Sequence, residues 1–110
     1  MISKVNSTIQ KGGITAEDLE SIVTAIKKNR KVKKIILFGS RAKGNYKKGS
    51  DIDIAIIEDE ISFNQLNQIR VDVNELMLPY NIDIIDFKKI KNKELRKHII
   101  RVGETLNLCE

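Results

Sequence analysis

Residues 36–57, ILFGSRAKGNYKKGSDIDIAII, place two apolar runs on either side of a polar loop punctuated by glycines. The first run ends at Gly39 and Ser40, and the second run has Asp51 and Asp53 at its front. Short apolar runs with β-branched residues predict buried strands. The stretch therefore predicts two strands joined by a loop. It also raises the question why two carboxylates stand at the start of a strand that otherwise has a buried pattern.

The rest of the chain alternates helix and strand signals. Apolar spacing and capping residues predict helices that begin at Thr15, at Ser62 and at Asn92, and Pro79 stops the second of these helices. A short strand is expected after Gly103. Three apolar runs predict strands, at residues 34–38, 51–57 and 82–87. Acidic residues 58–60 are expected to end the second strand.

This element order predicts how the strands are arranged. The helix between the second and third strands is long enough for a crossover, which predicts that these two strands are parallel. If the first and second strands are antiparallel, the polar motif residues would meet at one edge of the sheet. These residues are Gly39, Ser40, Asp51, Asp53 and Asp83. The expected fold is of the α/β (α+β) class, a small mixed sheet flanked by helices in the order α-β-(turn or short helix)-β-α-β-α.

Length, charge and cysteine content bound the class of protein. The 110 residues predict a single domain over residues 1–110, of which 1–14 show no period and are expected to be poorly ordered. The net charge of +5 is compatible with a phosphate-rich or carboxylate-rich partner. No apolar run approaches the ~20 residues that span a bilayer. With one cysteine and no signal-peptide pattern, a cytoplasmic protein without a membrane partner is expected.

The predicted edge has the chemistry of a metal site. Asp51 and Asp53 are two residues apart in a strand and so project to the same face, and Asp83 arrives from the neighbouring strand. Carboxylates this close repel one another unless a positive charge lies between them. Mg²⁺ is bound by a few carboxylates together with substrate phosphate oxygens. Two such ions can hold the attacking and the leaving oxygen of a phosphoryl displacement. Taken alone, however, an Asp-x-Asp is more often an exposed strand end.

The joint spacing of these residues is more specific than any one of them. The spacing resembles the signature of nucleotidyltransferases of the DNA polymerase beta superfamily. It consists of Gly39-Ser40, then ten residues, then Asp51-x-Asp53 and a later strand aspartate. More closely, FGSRAKGNYKKGSDIDIAII and NIDIIDF resemble the minimal nucleotidyltransferase (MNT) proteins. These are small catalytic domains that are paired with a helical protein of the HEPN type. The resemblance covers about residues 15–103.

The resemblance implies a role for each motif residue. Gly39 and Ser40 would hold the terminal phosphates of a nucleotide. Asp51 and Asp53 would ligate two Mg²⁺ ions. Asp83 would complete the metal site and assist the incoming hydroxyl group.

Asp86 is the nearest rival of Asp83. It lies three residues further along the same strand, and odd spacing in a strand points a side chain to the opposite face. The predicted third carboxylate is therefore Asp83.

Other polar residues near the motif are ambiguous. Arg41 and Lys43 are candidates for neutralising phosphate charge, and a solvated loop is the equal alternative. Tyr46 is a candidate for stacking on a base, but an exposed loop tyrosine is the simpler interpretation. His98 lies alone beside an apolar helical stripe, which favours a structural histidine over a ligand.

The function that the resemblance implies is transfer of an NMP group, AMP from ATP, to a tyrosine of a HEPN-type partner. The chain would then be the antitoxin of a toxin–antitoxin pair and part of a hetero-oligomer. Two alternatives stay open: transfer to a small molecule such as an aminoglycoside with a substrate-binding partner subunit, or a non-catalytic antitoxin that acts by docking. Direct nucleic-acid binding is disfavoured because no aromatic stacking platform is evident.

Overall fold

The computed structural model describes residues 12–47 and 49–106. Its helices and strands follow one another in the order α1 (Ala16–Lys27), β1 (Val32–Phe38), α2 (Ser40–Lys43), β2 (Ile52–Glu58), α3 (Phe63–Asn74), β3 (Ile82–Asp86), a 3₁₀ turn (Phe87–Lys89), α4 (Lys93–Val102) and β4 (Glu104–Thr105). Within this part of the chain, no helix combines the length and the apolar character needed to cross a membrane.

Four strands form one mixed sheet in the order β3-β2-β1-β4. β1 pairs with β2 and with β4 in antiparallel fashion, and β2 pairs with β3 in parallel. The predicted fold class, the parallel crossover pair and the short last strand are therefore confirmed. In this register Asp53 lies opposite Phe38 on one side and opposite Asp83 on the other.

Alternation along the strands divides the core between the two faces of the sheet. The main core joins buried side chains of α1 and α3 to one face of the sheet, among them Ile22, Ile26, Ile35, Ile54 and Ile69. The other face carries a smaller cluster in which Ile99 of α4 packs with Phe38 and Ala55. Each fully buried aliphatic side chain contributes about 1.5–3 kcal/mol relative to an exposed one, so both faces stabilise the sheet.

The predicted helix starts are confirmed by their caps. The Thr15 hydroxyl accepts a hydrogen bond from the Asp18 N–H, and the Asn92 side chain accepts one from the Leu95 N–H. Ser62 and Gln65 form a reciprocal capping box. Such caps satisfy N–H groups that the first helical turn leaves without a partner.

Two expectations about element boundaries are sharpened by the structure. Residues 1–11 lie outside the described part, so their predicted poor order stays a prediction. Residues 12–14 are packed against the fold: Ile14 is fully buried in the main core, and the Gly12 carbonyl accepts a hydrogen bond from Arg41. β2 runs one residue beyond the predicted strand 51–57 and ends at Glu58, the first of the acidic residues 58–60. Glu58 is buried and lies beside Asp86 of β3.

Candidate active site

Three chain segments meet at one edge of the sheet. β1 ends at Phe38, β2 begins at Ile52 directly after Asp51, and β3 begins at Ile82. The Ile52 N–H donates to the Asn81 carbonyl and holds the starts of the two parallel strands together. Because Asp83 lies opposite Asp53 in the register, the structure brings the carboxylates of two strands to the same edge.

Gly39 forms the turn that leads from β1 into α2. Its φ of 79° lies in the region that favours glycine. A Cβ atom on residue 39 would overlap the Asp53 carboxylate, so only glycine leaves room for it there. The predicted phosphate turn and the predicted metal carboxylate are therefore in direct proximity. Ser40 follows as the first residue of α2, where the leading N–H groups have no acceptor within the helix.

The electrostatics of Asp53 show that this edge is crowded with negative charge. Burial raises the pKa of Asp53, and the nearby Asp83 and Asp51 carboxylates raise it further. All three effects disfavour the ionised form, and a bound cation would relieve each of them. Over residues 12–47 and 49–106, no three acidic, histidine or cysteine side chains are already gathered as a metal cage. Carboxylate oxygens are ligands that Mg²⁺ takes together with substrate oxygens, so Asp51, Asp53 and Asp83 are the residues that could hold such an ion.

Asp83 and Asp86 lie on opposite faces of β3, as strand alternation predicts. Asp83 is exposed, whereas Asp86 lies opposite Ile56 and is buried. Asp86 accepts a hydrogen bond from the Lys88 N–H and lies 3.9 Å from the Lys89 ammonium. Its contacts belong to the far end of the strand, and this leaves Asp83 as the carboxylate of β3 that shares an edge with Asp53.

Arg41 is one of the two residues that the sequence offers for neutralising phosphate charge. Its side chain is only 5% exposed, so it does not belong to a solvated loop. Its Nε donates to the Ser50 carbonyl at 3.0 Å and its Nη1 to the Gly12 carbonyl at 2.7 Å. The guanidinium is thus held by two backbone acceptors, and a phosphate contact of Arg41 stays a prediction. Lys43 is exposed, and its phosphate contact also stays a prediction.

His98 lies near the site, although its sequence pattern favours a structural histidine. Its ring lies edge-on to Phe38, with 6.3 Å between the ring centroids, and its charge opposes the rise in the pKa of Asp53. A sequence signal exists. His98 follows Leu95 by three residues, and residues three apart share one helix face. Since Leu95 packs in the smaller cluster, the spacing indicates that His98 also faces the sheet.

Comparison with known proteins agrees with this geometry. The family model described as "Polymerase beta, Nucleotidyltransferase" matches residues 20–108. MntA of Haemophilus influenzae, named as a protein adenylyltransferase, is 33% identical over 67% of this chain and 66% of its own length. MJ0604 of Methanocaldococcus jannaschii carries the same kind of name and is 31% identical over 80% of this chain and 93% of its own length.

Solved structures share the fold. A toxin–antitoxin structure with AMP-PNP superposes with a TM-score of 0.68 at 22% identity, over 84% of this chain and 74% of that one. A complex of a tri-AMPylated HEPN toxin with an MNT antitoxin from Shewanella oneidensis gives a TM-score of 0.63 at 21% identity, over 82% and 69% of the two chains. The chain therefore belongs to the polymerase beta nucleotidyltransferase family, whose model matches most of its length.

Proposed function

We propose that this chain is a Mg²⁺-dependent protein adenylyltransferase that transfers AMP from ATP to a tyrosine of a HEPN-type helical partner. The observation that carries the proposal is the contact geometry at the sheet edge. Gly39 leaves room for the Asp53 carboxylate, and Asp53 lies opposite Asp83 in the parallel pair. A phosphate turn beside crowded carboxylates is what a metal-assisted nucleotidyl transfer requires.

Each predicted residue has a place in this reaction. The Ser40 hydroxyl and the leading N–H groups of α2 would bind phosphate oxygens of ATP, and Lys43 would neutralise part of their charge. Asp51, Asp53 and Asp83 would hold two Mg²⁺ ions. When bound, these ions supply positive charge to the attacking and leaving oxygens.

The transfer itself is a displacement at the α-phosphorus. The acceptor tyrosine oxygen forms a bond to that phosphorus, the bond to the β-phosphate bridging oxygen breaks, and pyrophosphate leaves. The proton of the acceptor hydroxyl passes to the Asp83 carboxylate, which is exposed at the edge and accessible to an incoming group. The product is an AMP phosphodiester on the partner.

The relatives support the choice of donor and acceptor. Those with 31% and 33% identity are named as protein adenylyltransferases, which supports AMP as the group and a protein as the acceptor. Similar folds occur in complexes whose descriptions include AMP-PNP and an AMPylated HEPN toxin with an MNT antitoxin. By this likeness, modification of the partner silences a toxin and the chain is the antitoxin, within a hetero-oligomer.

The decisive experiment weighs the partner. Chain, HEPN-type partner, ATP and Mg²⁺ are incubated, and the partner is examined by intact mass spectrometry. A mass gain of one or more AMP units is expected, and it should be absent with the Asp51→Asn/Asp53→Asn variant. An unmodified partner that is nonetheless inhibited at equal stoichiometry would contradict catalysis and favour docking. AMP on an added aminoglycoside instead would favour small-molecule transfer.

A further inference from the structure

Within the described part of the chain, the Arg41 side chain contacts three segments: the segment before α1, the loop between α2 and β2, and the segment that leads into β3. Besides the hydrogen bonds to the Ser50 and Gly12 carbonyls, its guanidinium carbon lies 5.2 Å from the ring centroids of both Tyr46 and Tyr80. Two backbone acceptors and two aromatic rings therefore surround one buried cation. Cation–π contacts of this kind contribute about 0.5–2 kcal/mol each, and more when the cation is desolvated.

These contacts connect the three segments that carry the candidate site. Arg41 belongs to α2, directly after Ser40. Its acceptor Ser50 immediately precedes Asp51, and Tyr80 stands two residues before the start of β3, which carries Asp83. The residue that directly follows the phosphate turn thus contacts the segment leading into β2 and the segment leading into β3.

We infer that Arg41 is the positioning residue of the active site, because its guanidinium fixes both ends of the loop over residues 39–51 against each other. The loop is polar and rich in glycine, so little in its own sequence fixes the separation of Ser40 from Asp51. The hydrogen bond from Nε to the Ser50 carbonyl closes the loop at its base. A displacement of about 1 Å in such a constellation costs on the order of 100-fold in rate.

The N-terminal segment completes the arrangement. Gly12 has φ of 58°, and a Cβ atom there would lie 2.6 Å from the Arg41 carbonyl oxygen and 2.7 Å from its Cβ. The backbone at residue 12 therefore packs directly against Arg41 and presents its carbonyl to Nη1. Lysine carries its three N–H donors on a single nitrogen in place of a planar fork, so it cannot make both carbonyl contacts with the same geometry.

The test compares Arg41→Lys with Arg96→Lys. Arg96 is a matched control because its guanidinium also donates to two backbone carbonyls, those of Phe87 and Ile90, and lies 4.5 Å from a ring centroid. The inference rests on the proposed function for its kinetic readout. Amide hydrogen exchange of residues 39–51 is measured as well, because it reports loop order whether or not AMP transfer occurs.

We expect Arg41→Lys to speed exchange in residues 39–51 and to lower kcat about 10- to 100-fold, with the KM for ATP within about 3-fold of wild type. Arg96→Lys should lower the Tm without either change. Guanidinium chloride at non-denaturing concentration should restore part of the kcat of Arg41→Ala. If Arg41→Lys fails to fold, Tyr46→Leu is measured in its place. It removes one ring contact of the guanidinium, and the expected loss of kcat is smaller.

Three results would overturn the inference. Unchanged exchange of the loop in Arg41→Lys would show that Arg41 does not order it. A rise in KM for ATP with unchanged kcat would show a direct phosphate contact. Equal losses of kcat in Arg41→Lys and Arg96→Lys would show a general effect on the fold. If the wild-type chain transfers no AMP, the proposed function fails, while the exchange comparison still decides the role of Arg41.

Discussion

Strands β2 and β3 carry a cluster of carboxylates at each end, and the two clusters differ in access. At the start of the strands, Asp53 and Asp83 lie in register at an edge that the Gly39 turn borders. At the far end, Glu58 and Asp86 lie on the opposite face and are 2% and 4% exposed. The same pair of strands therefore leaves one acidic pair partly accessible, with Asp53 half-buried and Asp83 exposed, and buries the other pair.

The two clusters relieve their repulsion by different means. Burial, a hydrogen bond with Asp86 and the Asp86 charge raise the pKa of Glu58 to about 7, and Lys88 and Lys89 only partly oppose this. A proton shared within the buried pair is therefore favoured, since desolvation disfavours a second negative charge. The pKa of Asp53 is raised by similar causes, but Asp53 is only half-buried and the neighbouring Asp83 is exposed. Under the proposed function, a metal ion with its substrate would supply the missing positive charge at this accessible end, whereas a proton supplies it at the buried end.

The largest effect is expected when the carboxylates at the start of the strands lose their charge. In Asp51→Asn/Asp53→Asn both side chains keep their shape and lose the charge that would hold the ions, so AMP transfer should fall at least about 1000-fold. Mg²⁺-dependent ATP binding, measured by calorimetry, should also be lost. Asp72→Asn on α3, distant in sequence and in a separate hydrogen bond to Gln68, is the control. ATP binding with Mg²⁺ as tight as in wild type would contradict the metal assignment.

The second prediction separates the two carboxylates of β3. Asp83→Asn should lower kcat about 100-fold while ATP binding changes far less, because the proton acceptor is lost and the phosphate turn is intact. Asp86→Asn should leave kcat within about 3-fold and change stability instead, because its side chain is buried at the other end. Steady-state kinetics and thermal unfolding of both variants make the comparison. A comparable loss of kcat in the two would contradict the division into two clusters.

The third prediction concerns the space beside Asp53. In Gly39→Ala the added Cβ would overlap the Asp53 carboxylate, and alanine at φ of 79° is strained by about 1–2 kcal/mol. We expect about a 10-fold loss of kcat, with a lowered Tm. Gly44→Ala is the matched control, since Gly44 also has positive φ but no heavy atom within 4 Å of the added Cβ. It should lower the Tm without the loss of kcat, and equal losses of kcat would contradict a specific contact with Asp53.

The sequence predicts the parts of the molecule that depend on near neighbours. Capping residues such as Ser62 act within one helical turn, and strand alternation alone assigns Asp83 and Asp86 to opposite faces. The burial of Arg41 depends on the Gly12 carbonyl, 29 residues away, and on two tyrosine rings. The burial of Glu58 depends on Asp86 in a neighbouring strand. No local pattern contains such pairings, and for this reason the sequence does not predict that either side chain is buried.

The last prediction concerns the buried cluster of Glu58 and Asp86. Changes in this cluster should alter stability and leave AMP transfer unchanged. The raised pKa of Glu58, about 7 against 4.5 in the unfolded chain, means that the folded state binds more protons between these two values. The free energy of unfolding should therefore fall as pH rises from about 4.5 to 7, by at most about 3 kcal/mol, and stay level above.

Glu58→Gln removes the titrating group and keeps a hydrogen-bond donor for Asp86, so its difference from wild type should grow with pH across this window. The exposed Glu60→Gln is the control. Urea unfolding at several pH values measures the difference. If the free energy of unfolding of wild type runs parallel to that of Glu58→Gln from pH 4.5 to 7, Glu58 and Asp86 hold no shared proton. The contrast between a proton-bridged end and a metal-binding end of the same strands would then be lost.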